Sequence, residues 1–156
     1  MEKITHVVFD HDGTLVDTSR LERSLYPGIK DLVHFLADNN ISMYVWTARS
    51  YASTKEILNK LGLASKFIDI CGSNNAPGKP SPAGLEYLIP EVEAQNVIVI
   101  GDSLGDIIGG TKFGAHCIGA SWGHGDETVA QMYAEYGAKA SFLTVEECKQ
   151  YIAKLI

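Results

Sequence analysis

Two carboxylates follow the first apolar run of the chain, with a single residue between them. The run begins at Ile4, and the alternation of side chains along a strand would place Asp10 and Asp12 on the same side. Two such anions repel each other unless a cation lies between them, one holds a proton, or a loop rich in hydrogen bonds stabilises them. Gly13 allows a sharp turn after the strand, and Thr14 adds a hydroxyl. The stretch is a candidate site, although Asp-Gly pairs also begin ordinary turns.

Other polar side chains follow later apolar runs in the same way. Thr47 and Asp102 each end a predicted strand, Lys79 lies in a loop rich in Gly, Pro, Asn and Ser, and Asp106 lies in the first turn of a predicted helix. In α/β folds, ligands bind outside the carboxyl ends of the strands, which is where these residues fall. Carboxylates suit Mg²⁺, while an amine and a hydroxyl can hold a phosphate oxygen. The pattern predicts phosphate chemistry around Mg²⁺.

Alternating strands and helices must position these residues. Short apolar runs rich in β-branched residues predict strands at 4–9, 41–46, 67–71, 96–100 and 115–118. Apolar residues at helical spacing predict helices at 29–39, 50–61, 83–89, 103–114 and 126–136, and from 145 onwards. This order predicts an α/β fold with three α/β/α layers, Rossmann-like, with a mostly parallel sheet. We expect residues 1–156 to form a single domain.

Composition limits the classes of partner. The chain has 156 residues, 46% of them hydrophobic, and a formal net charge of −6, which argues against broad nucleic-acid or anionic-membrane binding. No apolar stretch approaches the roughly 20 residues that span a bilayer. Cys71, Cys117 and Cys148 are odd in number and lack metal-ligand spacing, so we expect reduced thiols. These features together favour a cytoplasmic protein.

The chain resembles the haloacid dehalogenase-like (HAD) hydrolase superfamily, and four motifs carry the resemblance in order. They are Asp10-His11-Asp12-Gly13-Thr14, Thr47, Lys79 and Gly101-Asp102-Ser103-Leu104-Gly105-Asp106. The flanking segments at 26–28, 78–82 and 121–123 are similar to the phosphoglycolate phosphatase-like branch. The resemblance implies a HAD-like core over nearly the whole chain.

The resemblance also implies a mechanism. Asp10 would be the nucleophile that forms an aspartyl-phosphate, and Asp12 would be the general acid and base. Family members that cleave carbon–halogen bonds lack an acid at the position of Asp12, so the resemblance favours a phosphatase.

The same resemblance implies the remaining site residues. Mg²⁺ would be bound by Asp10, the backbone carbonyl of Asp12, and Asp102, with Asp106 supporting the metal shell or pairing with Lys79. The phosphoryl group would be held by Thr47, Ala48 and Lys79.

The chain departs from the phosphoglycolate phosphatase-like branch at the cap domain. Only nine residues separate Asp17 from Pro27, where the branch inserts a helical cap, and the second insertion point, between Thr47 and Lys79, is also short. We therefore expect a capless enzyme with an open site. Its substrate would be a phosphorylated small molecule or a larger phosphorylated substrate, unless a neighbouring subunit of a homo-oligomer lends a lid.

Several assignments stay open at this level. A phosphate-binding regulatory module and a phosphotransferase are the alternatives to a phosphatase. Strand alternation points His11 away from the carboxylates, which favours a structural histidine. Arg20, Arg23 and Arg49 could contact substrate, but each alone is typical of a solvated surface charge. Trp122 fits either a rim of the pocket or the core.

Overall fold

The computed structural model describes residues 3–124 and 128–156, and its centre is a parallel sheet. The sheet has six strands in the order β5-β4-β1-β6-β7-β8. Their bounds are β1 His6–Phe9, β4 Ser42–Trp46, β5 Asp69–Cys71, β6 Val97–Gly101, β7 His116–Ala120 and β8 Ala140–Phe142. A separate antiparallel hairpin pairs β2 Val16–Asp17 with β3 Ser24–Leu25.

The strand β1 lies in the middle of the sheet and fixes the register of its neighbours. Phe9 pairs with Val45 of β4 on one side and with Ile100 of β6 on the other, both in parallel. Beyond the partly exposed His6 and Ser42 that begin β1 and β4, these strands are buried, because helices cover both faces, as is usual in parallel sheets. The polar residues that follow β1, β4 and β6 therefore emerge together at one edge.

In the part of the chain that the structure describes, six α-helices cover the two faces of the sheet. They are α1 Ile29–Asp38, α2 Tyr51–Lys60, α3 Ala83–Leu88, α4 Leu104–Phe113, α5 Thr128–Glu135 and α6 Val145–Ala153. Val7 and Phe9 pack in the same core cluster as residues of α1, α2 and α6. Val8, which points to the opposite face, packs with residues of α3, α4 and α5. The predicted three-layer α/β/α arrangement is confirmed.

The predicted elements differ from the observed ones in three places. The strand expected at 115–118 is not the last, because β8 pairs with β7 at the sheet edge. The stretch between Asp17 and Pro27, for which the sequence predicted no element, contributes one strand of the β2–β3 hairpin. The helix expected at 126–136 is observed as Thr128–Glu135, and residues 126 and 127 lie outside the described part of the chain.

Two smaller expectations concern membranes and thiols. Among the helices that the structure describes, none is long and apolar enough to cross a bilayer. Cys71, Cys117 and Cys148 are all buried and unpaired, as the sequence predicts. Burial raises the pKa of the Cys117 thiol to about 11, so this thiol is a packing residue in its neutral form.

Candidate active site

The side chain of Lys79 connects two acidic residues at the carboxyl edge of the sheet. Its Nζ donates to Asp10 Oδ1 at 3.0 Å and also to Asp106 Oδ1, and it lies 4.7 Å from the ring centroid of Trp46. The Lys79 side chain is only 10% exposed. The loop after β5 thus carries a buried ammonium to the end of β1, as the sequence predicts for a shared site.

Asp106 is held from its own helix as well. The Ser103 backbone N–H and hydroxyl donate to Asp106 Oδ2 at 3.0 and 2.8 Å, and the Asp106 N–H donates back to Ser103 Oγ. This reciprocal cap starts α4 and fixes the carboxylate that faces Lys79. Asp106 pairs with Lys79, which was one of the two roles expected for it, and its carboxylate also lies beside those of Asp10 and Asp102.

Asp102, after β6, accepts hydrogen bonds from two other segments of the chain. Thr14 Oγ1 donates to Asp102 Oδ1 at 3.2 Å, and the Tyr133 hydroxyl of α5 donates to the Asp102 carbonyl at 2.6 Å. The Trp122 indole donates to the Thr14 carbonyl at 2.8 Å, so Trp122 supports the turn that carries Thr14. Gly13 has φ 84°, and a Cβ there would lie 2.3 Å from Asp102 Oδ2, so only glycine lets the turn pass this close.

Three carboxylates cluster at this edge of the sheet, and Lys79 Nζ contacts two of them. Oxygens of Asp10, Asp102 and Asp106 all lie within 4.8 Å of one another. Burial raises the pKa of Asp10 to about 7, with Asp102 adding to the rise and Lys79 opposing it. Burial and the Asp10 charge raise the pKa of Asp106 to about 6, and burial also raises that of Asp102. Such a cluster is short of positive charge and could hold a metal ion.

The same surroundings that favour the neutral form of the carboxylates favour the charged form of Lys79. Burial disfavours its charged form, but the Asp106 and Asp10 carboxylates outweigh that penalty and raise the pKa of Lys79. Lys79 therefore stays a cation in this setting, available to an anion that enters the cleft.

Asp12 is held apart from this cluster by a set of hydrogen-bond donors. Arg49 donates two parallel hydrogen bonds to Asp12, from Nε to Oδ1 at 3.0 Å and from Nη2 to Oδ2 at 2.7 Å. His11 Nδ1 lies 2.6 Å from Oδ1, and the Thr18 hydroxyl donates to Oδ2 at 3.2 Å. Burial opposes ionisation, but the bonds from His11 and Arg49 prevail and hold the pKa of Asp12 below its usual range.

The predicted site residues line one open cleft of about 670 Å³. Asp10, Asp12, Thr47, Ala48, Lys79 and Asp102 all contribute to its wall, together with Arg49, Ser103 and Gly105. Thr47 is buried at the end of β4, and its hydroxyl accepts a bond from the Arg49 backbone N–H at 3.1 Å. The structure therefore brings together the residues that the sequence pattern selected from four separate segments.

Two expectations about individual side chains were wrong. The orientation expected for His11 assumed that the strand continues, but β1 ends at Phe9 and the chain turns, with Leu15 N–H donating to the His11 carbonyl. The fully buried imidazole consequently contacts Asp12. Arg49 is not a solvated surface charge, because Asp12 holds it at the cleft with its side chain 23% exposed.

Comparison with known proteins places this geometry in a family. The model of the haloacid dehalogenase-like hydrolases matches residues 20–120, from the hairpin to the end of β7. The chain belongs to this HAD family. The matched region contains Thr47, Lys79 and Asp102, while Asp10 and Asp12 precede it.

Individual relatives agree with that assignment. A phosphoglycolate phosphatase from Rhodospirillum rubrum is 33% identical over 71% of this chain and 47% of its own length. One from Vibrio parahaemolyticus is 31% identical over 64% of this chain and 45% of its own length. The chain thus spans about half the length of these curated relatives.

A solved structure extends the similarity of the HAD fold to almost the whole chain. A HAD-superfamily hydrolase from Ehrlichia chaffeensis superposes with a TM-score of 0.81 at 19% identity, covering 99% of this chain and 98% of its own. At this identity the match supports the shared fold.

Proposed function

We propose that the protein is a Mg²⁺-dependent phosphomonoester hydrolase that works through an aspartyl-phosphate on Asp10. The observation that carries the proposal is the convergence of Asp10, Asp102, Lys79 and Thr47 in one cleft of a HAD-family chain. Hard oxygen donors beside a buried ammonium suit a divalent cation and a phosphoryl group.

The acidic cluster fits the ion that the family implies. Three carboxylates lie together, and the Lys79 ammonium contacts two of them, Asp10 and Asp106. The pKa values of these two are raised to about 7 and about 6, so a further cation relieves the repulsion within the cluster. Asp10, Asp102 and the backbone carbonyl of Asp12 would hold Mg²⁺. When bound, Mg²⁺ neutralises charge on the phosphoryl oxygens.

Asp10 performs the first displacement. A carboxylate oxygen of Asp10 forms a bond to phosphorus while the bond from phosphorus to the leaving oxygen breaks. Lys79 and Thr47 hold the transferring group during this step, and the leaving oxygen takes a proton from Asp12.

Asp12 serves both halves of the reaction. Arg49 and His11 keep it anionic in the free protein, and this form takes the proton from the attacking water in the second half. Water then forms the new bond to phosphorus, and the bond to Asp10 breaks. A phosphomonoester that enters as its monoanion brings the proton that Asp12 delivers in the first half.

The open cleft determines which substrates to test. The β2–β3 hairpin occupies the place where the phosphoglycolate phosphatase-like branch carries a cap, so the substrate is not enclosed by this chain alone. A phosphorylated small molecule is the first class to test, and phosphoglycolate is its first member because curated relatives are named for it.

Hydrolysis of para-nitrophenyl phosphate with Mg²⁺ tests the proposal. We expect turnover in the wild type, its loss in excess EDTA, and its return on adding Mg²⁺. Asp10→Asn should abolish turnover, because the amide has nearly the same volume but is not a nucleophile. Asp31→Asn, the same change at an exposed position of α1, is the matched control and should keep full activity.

The outcomes separate the proposal from its alternatives. Turnover that survives Asp10→Asn contradicts the covalent mechanism, and turnover without metal contradicts the role of Mg²⁺. Phosphate binding without turnover of any ester would support a regulatory module. Transfer of phosphate to an alcohol in preference to water would support a phosphotransferase.

A further inference from the structure

The guanidinium of Arg49 is held in the wall of the cleft by three hydrogen bonds. Arg49 lies two residues after Thr47, and its guanidinium uses Nε and Nη2 on Asp12 and Nη1 on Ser53 Oγ at 2.9 Å. These bonds fix the plane of the guanidinium from two sides. Arg49 is therefore a rigid part of the cleft wall and does not sample many rotamers.

The guanidinium still has hydrogen-bonding capacity to spare. Arginine carries five N–H donors, and within residues 3–124 and 128–156 only three of those on Arg49 have partners. The remaining N–H groups are one on Nη1 and one on Nη2. These groups can bind an anion while Nε and the other Nη2 N–H keep their bonds to Asp12.

The other cation of the cleft is already engaged. In the described part of the chain, Lys79 and Arg49 are the two basic side chains that line the cleft. Lys79 is shared between Asp10 and Asp106 at its buried end, where the transferring phosphoryl group belongs. An additional anionic group on a substrate would therefore meet Arg49.

The contact with Asp12 places Arg49 on the leaving-group side. Asp12 exchanges its proton with the leaving oxygen, so that oxygen must come within about 3 Å of the carboxylate. Arg49 Nη2 lies 2.7 Å from the same carboxylate. The N–H groups of Arg49 without partners are then about 5 Å from the leaving oxygen. An anionic group one or two carbons from that oxygen can reach them.

We propose that Arg49 is a specificity residue that binds a second anionic group, a carboxylate or a phosphate, on the leaving alcohol of the substrate. This inference rests on the proposed phosphatase function and names its substrate class, a small phosphomonoester with a negatively charged leaving group. The hairpin that replaces the cap offers Arg20 and Arg23 to solvent, so the fixed cation comes from the core of the protein.

The test compares two substrates that differ in this group alone. 2-Phosphoglycolate carries a carboxylate one carbon from the ester oxygen, and 2-hydroxyethyl phosphate carries a neutral hydroxymethyl group there. We expect the wild type to prefer 2-phosphoglycolate in kcat/KM by about tenfold, the value of one charge-assisted contact. In Arg49→Gln the ratio should fall to about one, even though the loss of contact with Asp12 lowers both rates.

A binding measurement covers the case in which Arg49→Gln is too slow to assay. In an Asp10→Asn background, which does not turn over, the Kd of both phosphoesters is measured by calorimetry with and without Arg49→Gln. The preference for 2-phosphoglycolate should be about tenfold and should vanish in the double variant. Ser53→Ala, which removes the other partner of the guanidinium, is the control and should keep most of the preference.

The ratio of kcat/KM for the two phosphoesters distinguishes a failure of the role of Arg49 from a failure of the proposed phosphatase function. Turnover of both esters at equal kcat/KM, or a preference that survives Arg49→Gln, overturns the role of Arg49 and leaves the phosphatase intact. Failure of the wild type to hydrolyse any phosphomonoester overturns the proposed function and this inference with it.

Discussion

Replacing Asp10, the proposed nucleophile, with asparagine should make the metal-free protein more stable. Asp10 is 9% exposed, and burial beside Asp102 raises its pKa from 3.8 to about 7 in spite of Lys79. In the unfolded chain the pKa returns to 3.8, so the folded state binds more protons between about pH 4 and pH 7. The stability associated with Asp10 is complete below pH 4 and is lost as the pH rises through 7.

The size of the effect follows from the pKa difference. About three pKa units at 1.36 kcal/mol each give about 4 kcal/mol of destabilisation once Asp10 is ionised, near pH 8. Asp10→Asn removes the charge and keeps the shape, but it weakens the contact from Lys79 Nζ. We therefore expect a gain of about 2–4 kcal/mol in the free energy of unfolding near pH 8. Near pH 5 the gain should shrink to about 1–2 kcal/mol because wild-type Asp10 is protonated in the folded state.

Urea unfolding in EDTA, followed by tryptophan fluorescence, measures this difference. Asp31→Asn is the control, since an exposed carboxylate should change stability by less than about 0.5 kcal/mol. Added Mg²⁺ should stabilise the wild type much more than Asp10→Asn, because the ion binds only the folded carboxylate cluster. If Asp10→Asn is no more stable than the wild type in EDTA near pH 8, burial of the ionised Asp10 carboxylate does not destabilise the fold.

Two further predictions probe the groups around the acidic cluster. Lys79→Met should destabilise the metal-free protein by about 3–5 kcal/mol near pH 8, and by less near pH 5, where Asp10 and Asp106 take up protons. Urea unfolding at both pH values measures this loss of stability. An equal loss at the two pH values would contradict the prediction. Tyr133→Phe removes the hydroxyl that donates to the Asp102 carbonyl, so it should lower the free energy of unfolding by about 1 kcal/mol and weaken Mg²⁺ binding. A titration of thermal stability with Mg²⁺ measures the affinity. An unchanged midpoint of that titration would show that Tyr133 does not position Asp102.

The sequence predicted the central strands well because their pattern is local. Val97–Gly101 is fully apolar and buried on both faces, a pattern that a run of neighbouring residues reveals without knowledge of the fold. The edge strand Ala140–Phe142 was missed because its three residues are only half-buried and carry no clear alternation. The two-residue strands of the hairpin are too short for any period to appear.

The predicted site shows the same division between local and distant information. Asp10, Thr47 and Asp102 were found because each ends an apolar run, which sequence alone displays. The partners of these residues were not found: Arg49 is 37 positions from Asp12, and Tyr133 is 31 positions from Asp102. No periodicity links such pairs, and only the crossing of α5 over the sheet and the adjacency of β1 and β4 bring them together.

The carboxylate of Asp12 is held from three separate segments of this chain. It receives donors from the turn after β1, from the end of β4 and, through Thr18, from the connection between the hairpin strands. All three donors belong to this chain and lie around the same open cleft, so Asp12 is oriented before any substrate arrives. In the proposed phosphatase, which has no cap of its own, the core has both to orient Asp12 and to select the leaving group. The proposed role of Arg49 combines the two, because its guanidinium holds Asp12 through Nε and Nη2, lines the same cleft and keeps N–H groups for an anion.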